Sequence, residues 1–101
     1  MIDYIRERIP TEELLAQLAE EATELAQAAL KLRRKLDDRN PTPVPLTVAW
    51  DNLAEEIADV RLCLRVLEFD DQEQQFTKRE NKKLRRWAKR LGMSPEGHAN
   101  D

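Results

Sequence analysis

One long segment without glycine or proline most constrains how this chain can fold. It runs TEELLAQLAEEATELAQAALKLRRKL from Thr11 to Leu36. Leucine and alanine recur in it every three or four residues, which is the spacing that places side chains on one face of an α-helix. Its first turn is acidic and its last turns are basic, as the helix dipole favours. We therefore predict one long amphipathic helix, capped at Thr11.

Two further helices are predicted after a loop rich in proline, DDRNPTPVPLT. The second extends from about Thr47 to Phe69. The third follows the break FDDQEQQFT, is capped by Asp70 or Thr77, and ends at Gly92. A short extra turn fits before Pro10. We predict a single all-α domain over residues 1–92, an antiparallel bundle of three main helices, and a flexible tail over residues 93–101.

The composition agrees with a small helical protein. Of 101 residues, 37% are charged and 5% are aromatic, and two are glycine. These values are typical of helices with a modest leucine and alanine core rather than of a β-sheet protein. Because so short a chain buries little apolar surface, we predict that oligomerisation completes the bundle, as a homodimer or homotetramer.

The single cysteine and the N-terminus bear on location. Cys63 excludes a disulfide within the chain and any zinc site with several cysteines. The opening MIDYIRERIP lacks the apolar stretch of a signal peptide, and no apolar run is long enough to cross a bilayer. We expect a cytoplasmic protein with no membrane partner and Cys63 as a small buried apolar residue.

Acidic residues interrupt the apolar faces of the first two helices. In the first helix, Glu21 occupies a position on the buried stripe, and Glu24 lies one turn later at its edge. In the second helix, Glu56 and Asp59 repeat this arrangement. Two helices joined by a short loop pack antiparallel, so the two acidic pairs can face each other.

Four facing carboxylates need positive charge, because each is costly to remove from water without a partner. Oxygen ligands of this type favour a hard cation, Mg²⁺ or alternatively Mn²⁺. The competing interpretation is that both clusters are solvated helix surfaces, since glutamate is a good helix former. The pattern alone leaves both interpretations open.

The two clusters also resemble a family signature. EEATE, which contains Glu20, Glu21 and Glu24, and EIAD, which contains Glu56 and Asp59, are similar to the EExxE…ExxD motif of MazG-like nucleotide pyrophosphohydrolases. These enzymes belong to the all-α NTP pyrophosphatase superfamily. The resemblance covers about residues 11–92.

The resemblance implies Mg²⁺-dependent hydrolysis of a nucleoside or deoxynucleoside triphosphate between its α and β phosphates, giving the monophosphate and pyrophosphate. It implies Glu21, Glu24, Glu56 and Asp59 as metal ligands, and Glu20 or Glu24 as the catalytic base. A phosphoribosyl-ATP pyrophosphatase is a second possibility. The residues DVRLCLRV after the second motif lack the Tyr-His that those enzymes tend to carry.

The third helix is strongly basic. Residues 78–90 contain eight basic residues and one acidic residue, a local charge of +7. The resemblance implies that Lys78, Asn81 and Lys82 contact the substrate phosphates. Trp50 could stack on the base of the nucleotide, although a core or interface role is favoured. Trp87 is expected in the core.

Two functions of other classes stay open. The chain could be a non-catalytic helical interaction module whose acidic residues select a partner. It could also bind nucleic acid through the basic third helix, although aromatic residues do not alternate with the basic ones and no known binding motif is present. The sequence alone therefore disfavours nucleic acid as a partner.

Overall fold

The computed structural model describes residues 1–37 and 44–94, and within them it is all-α, with no β-strand. The helices are α1 (Ile2–Arg8), α2 (Thr11–Asp37), α3 (Leu46–Val66) and α4 (Glu73–Arg90), with a 3₁₀ helix at Phe69–Gln72. The predicted all-α class is confirmed. The chain divides into two compact units, Met1–Phe69 and Asp70–Asp101.

The helices α2 and α3 form an antiparallel hairpin in the first unit. Residues 38–45 connect them, and eight residues span at most about 28 Å. The 21 residues of α3 are about 31 Å long, so the connection is too short for α3 to run parallel beside α2. A contact of Arg6, just before α2, with Val66 at the end of α3 agrees with this direction.

The core of the hairpin is small. Within the described residues, the apolar side chains exposed by less than a tenth are Ala28, Leu32, Ala49 and Val66. The leucines of the predicted stripes, such as Leu25 and Leu53, are half-buried. The hairpin therefore buries the faces that the sequence predicts, but it buries them incompletely.

The short helix α1 holds the C-terminal end of α3. Arg6 donates from Nε to the carbonyl oxygen of Val66 at 2.7 Å and from Nη2 to that of Arg65 at 2.6 Å. It also pairs with Glu68 at 3.2 Å. These carbonyls are at the negative end of the helix dipole, where a cation is stabilising. The extra turn expected before Pro10 is thus a helix with a defined packing role.

The boundary between the second and third predicted helices differs from the prediction. Helix α3 ends at Val66 rather than near Phe69, because Glu68 adopts a φ of 68° that leaves the helical region. Helix α4 begins at Glu73 after Gln72, whose side chain makes no cap hydrogen bond. Neither Asp70 nor Thr77 is the cap, so both predicted caps are wrong.

The other two predicted helix ends are close to the structure. Helix α2 starts at Thr11, but the carbonyl of Pro10 accepts the N–H groups of Glu13 and Leu14, so the cap position is one residue earlier than predicted. At the end of α4, Gly92 has a φ of 102°, and Met93 N–H donates to the carbonyl of Ala88. This is the Schellman arrangement, which confirms Gly92 as the stop.

The second unit leaves the apolar stripe of α4 in solvent. Leu84, Trp87 and Leu91 are exposed by 62%, 61% and 79%. The prediction that Trp87 is a core residue is therefore wrong. The physical reason is that α4 is the one α-helix in the described part of this unit, so its stripe has no second helix to pack on.

Two further expectations concern a membrane-spanning helix and the C-terminal tail. No helix in the described ranges is long and apolar enough to cross a membrane. Of the tail predicted over residues 93–101, residues 95–101 lie outside the described residues.

Candidate metal centre

Three carboxylates converge where α2 and α3 face each other. Glu21 and Glu24 are one turn apart on α2, and Glu56 is on α3. One oxygen from each lies within 4.8 Å of the others. The sequence places them there because Glu21 and Glu56 take positions on the buried stripes of their helices, while Glu24 occupies the adjacent edge.

Two of these carboxylates carry an oxygen without a hydrogen-bond partner. Oε2 of Glu21 and Oε2 of Glu56 are inaccessible to solvent and accept no hydrogen bond within the described chain. The other oxygen of Glu21 accepts a hydrogen bond from Nε2 of Gln17 at 2.8 Å. Buried polar atoms are almost always paired in folded proteins, so two unpaired oxygens in one cluster require an explanation.

Negative charge accumulates around Glu21. Burial raises the pKa of its carboxyl above the ordinary value of 4.5, and the neighbouring Glu24 and Asp59 raise this pKa further, while the hydrogen bond from Gln17 opposes the shift. Burial also raises the pKa of the Cys63 thiol, with Glu21 and Asp59 contributing. In the part of the chain that the structure describes, the cluster forms no ion pair with lysine or arginine.

The other acidic residues of the predicted site lie beside this cluster. Asp59 is close enough to act on the charge of Glu21, but it is outside the group of three. Glu20 is exposed and lies one turn before Glu24 on the same side of α2. The structure thus brings together three of the four predicted metal ligands and leaves Asp59 and Glu20 at their margin.

The residues predicted to bind the nucleotide lie on α3 and α4. Trp50 is 52% exposed and lies six residues before Glu56, about 120° away around α3. Lys78, Asn81 and Lys82 are exposed on α4, in the second unit. Their contact with phosphate stays a prediction.

Two further residues lie near the cluster: Gln17, for which the sequence suggests no role, and Cys63, which the sequence predicts as a small buried apolar residue. Gln17 donates the hydrogen bond that orients Glu21, and its spacing of four residues from Glu21 is the available signal. Cys63 is half-buried beside the acidic residues rather than fully buried in the core. Its position one turn after Asp59 was visible in the sequence, but its exposure was not.

The donor set fits a hard divalent cation. The cluster supplies carboxylate oxygens from two helices, with no sulfur ligand in the group. Mg²⁺ and Mn²⁺ prefer such ligands, and a cation would supply the partner that the two buried oxygens lack. If a cation binds here, Glu21, Glu24 and Glu56 are the residues that would hold it, with Asp59 nearby.

Comparison with known proteins identifies no relative: no family model, no curated protein and no solved structure matches this chain.

Proposed function

We propose that this protein is a Mg²⁺-dependent nucleoside triphosphate pyrophosphohydrolase, which converts a nucleoside or deoxynucleoside triphosphate into its monophosphate and pyrophosphate. The observation that carries the proposal is the convergence of Glu21, Glu24 and Glu56, with two buried oxygens that lack a partner. The resemblance of EEATE and EIAD to the MazG-like signature gives this carboxylate cluster a specific chemistry.

The carboxylates divide between two tasks in this proposal, holding the cation and accepting a proton. Glu21 and Glu56 hold the cation from opposite helices, and Gln17 fixes the orientation of Glu21. A divalent cation supplies charge stabilisation at phosphoryl oxygens and lowers the pKa of water. Glu24 and Glu20 are one turn apart on α2, and either can accept the proton of the attacking water.

Binding of the triphosphate also needs cationic donors. A triphosphate carries about four negative charges, more than one divalent cation balances. The basic residues Lys78 and Lys82, with the amide of Asn81, are exposed on α4 and are the proposed phosphate contacts. We propose that the enzyme acts in the cytoplasm, because its proposed substrates belong to nucleotide metabolism.

We further propose a homodimer or homotetramer that forms through the hairpin. Leu15 and Leu36 of α2 and Trp50 and Ile57 of α3 are all at least 42% exposed. Helical spacing places the four on the side of the hairpin that faces away from the acidic residues. Packing two such faces would complete a four-helix bundle and leave the carboxylate cluster accessible. Trp50 is then an interface residue, which is one of the two roles, core or interface, that the sequence favours.

The test is a panel of nucleoside and deoxynucleoside triphosphates incubated with Mg²⁺, with the products separated by chromatography. The proposal predicts equimolar monophosphate and pyrophosphate, with none formed when the divalent cation is chelated. Phosphoribosyl-ATP belongs in the panel, because its exclusive turnover would select the second enzyme class. Release of inorganic phosphate without pyrophosphate, or no turnover of any member, would contradict the proposal.

A further inference from the structure

The exposed stripe of α4 is an apolar feature that the proposed function does not use. Leu84, Trp87 and Leu91 follow one another at helical spacing, and each is more than 60% exposed. Large apolar side chains grouped on one exposed face mark an interaction surface. We call these three residues the α4 stripe.

Cations border the α4 stripe on both sides. Lys83, Arg86 and Arg90 lie on one flank, where with Trp87 they line an open cleft of about 430 Å³. Arg85 lies on the other flank by helical spacing. Within the described residues, none of these four side chains forms an ion pair. A partner of this surface must therefore supply apolar contact and negative charge together.

A second copy of this chain does not supply both. Pairing two α4 helices would bring together two segments of charge +7. The exposed apolar side of the hairpin carries Arg33 and Arg61, which repel the flanks of α4. The opposite side is rich in carboxylates, which do not match leucine and tryptophan.

Nucleic acid supplies only one of the two requirements. Its phosphates would pair with the basic flanks, and a base could stack on Trp87. It offers no apolar layer for Leu84 and Leu91, which are the most exposed members of the stripe. The surface of an anionic bilayer presents lipid phosphates above an apolar interior, so it meets both requirements.

We propose that α4 binds the surface of membranes that contain anionic lipids, independently of the hydrolase activity. The helix lies in the plane of the interface, with the α4 stripe in the acyl region and the cations among the headgroup phosphates. Lys83, Arg86 and Arg90 place a phosphate beside the indole of Trp87. This binding is peripheral and needs no membrane-spanning segment, and it departs from the sequence-based expectation of no membrane partner.

The test is flotation of the full chain with vesicles of phosphatidylglycerol and phosphatidylcholine in equal parts, against vesicles of phosphatidylcholine alone. The protein is expected to float with the first and not with the second. Raising the salt from 0.1 to 1 M should release it, because the screening length falls from about 10 to 3 Å. In a Trp50→Phe background, Trp87 is the remaining tryptophan, and its emission should shift to shorter wavelength on binding.

Two variants separate the components of the surface. Leu84→Gln with Leu91→Gln removes the apolar contact, and Arg85→Glu with Arg86→Glu reverses two charges. Each should lower partition into the anionic vesicles by about tenfold or more. The matched control is Leu30→Gln with Leu62→Gln on the hairpin, two exposed leucines outside the proposed oligomer interface, which should leave vesicle binding unchanged.

Several results would overturn the proposal. Equal flotation with both vesicle types, or none with either, contradicts anionic membrane binding. If the protein binds single-stranded DNA tightly but binds no vesicles, the partner of α4 is nucleic acid. If it binds no vesicles and the Leu84→Gln, Leu91→Gln variant loses self-association, the partner of α4 is a second copy of the chain. If a variant does not fold, as judged by circular dichroism, the salt release and the emission shift of the Trp50→Phe protein still decide.

Discussion

The side chains of Glu21 and Glu56 lie on facing helices, and each has one buried oxygen that accepts no hydrogen bond. Their charges are not neutralised by an ion pair within the described part of the chain. Because a buried oxygen without a hydrogen-bond partner opposes folding, these two oxygens are a structural cost unless a partner neutralises them. The site residues therefore give predictions for stability as well as for activity.

The stability of the metal-free protein should depend on the ionisation of Glu21. Its pKa is raised in the folded state, so the folded chain binds the proton more tightly than the unfolded chain does. Stability from this group is complete below the ordinary value of 4.5 and is lost as pH rises through the folded pKa. Glu21→Gln should therefore match the wild type in acid and melt at a higher temperature at neutral pH.

Thermal melts from pH 4 to pH 8 with a chelator present would measure this difference. Glu12→Gln is the control, because Glu12 is exposed in the first turn of α2 and should show no pH-dependent gain. A Glu21→Gln protein that is less stable than the wild type at neutral pH would contradict burial as the dominant cause of the pKa shift.

With divalent cations present, the wild type should become more stable than Glu21→Gln at neutral pH. A cation that binds only the folded state increases the free energy of unfolding and so raises the melting midpoint. The increase is about 2.7 kcal/mol when the free cation concentration is a hundred times its dissociation constant. Mg²⁺ or Mn²⁺ should stabilise the wild type, and Glu21→Gln with Glu56→Gln should abolish the gain. An identical rise in both proteins would place the cation elsewhere. Melts with a non-hydrolysable triphosphate would test a site that requires substrate.

The contact between α1 and the end of α3 should contribute measurably to folding. Arg6 donates to the carbonyls of Val66 and Arg65, and charged hydrogen bonds of this type are worth about 2 kcal/mol in total once solvent exposure is considered. Arg6→Ala should lower the urea midpoint accordingly, and Arg6→Lys should lower it less because it keeps the charge. Equal urea midpoints for wild type, Arg6→Ala and Arg6→Lys would show that the contact of α1 with α3 does not stabilise the fold.

Assembly should depend on the exposed apolar side of the hairpin. Ile57→Arg places a charge among residues that the proposed interface buries, so the oligomer should dissociate to monomers. Light scattering at micromolar concentration would measure the mass. Glu55→Arg, on the same helix but on the acidic side, is the matched control and should remain assembled. A wild-type protein that is already monomeric would contradict the proposed assembly.

Local patterns predicted the helices well and tertiary features poorly. The spacing of leucine and alanine gave α2 and α3 to within a few residues, and Gly92 gave the end of α4, because these signals act over one or two turns. The end of α3 coincides with the φ of 68° at Glu68 and with hydrogen bonds from Arg6, about sixty residues earlier, and the local pattern around Val66 reveals neither. Trp87 was placed in the core because periodicity shows a face but not what covers it.

The candidate site was predicted in part for the same reason. Helical spacing put Glu21, Glu24 and Glu56 on facing edges, and the structure joins them. Asp59 shares that spacing but lies outside the group, since its distance from Glu21 depends on how the two helices are rotated. The two buried oxygens that lack a partner could not be foreseen, because burial of single atoms depends on the packing of neighbouring side chains.

The most direct test of the proposed function is pyrophosphate release from a nucleoside triphosphate in the presence of Mg²⁺. Wild type, Glu56→Gln, Asp59→Asn and the exposed control Glu12→Gln should be compared, with folding checked by melting midpoints. We expect Glu56→Gln and Asp59→Asn to lose at least about 100-fold in rate, because a cation at this site needs anionic oxygens. Glu12→Gln should keep the wild-type rate. Full activity in a folded Glu56→Gln protein would contradict catalysis at the carboxylate cluster.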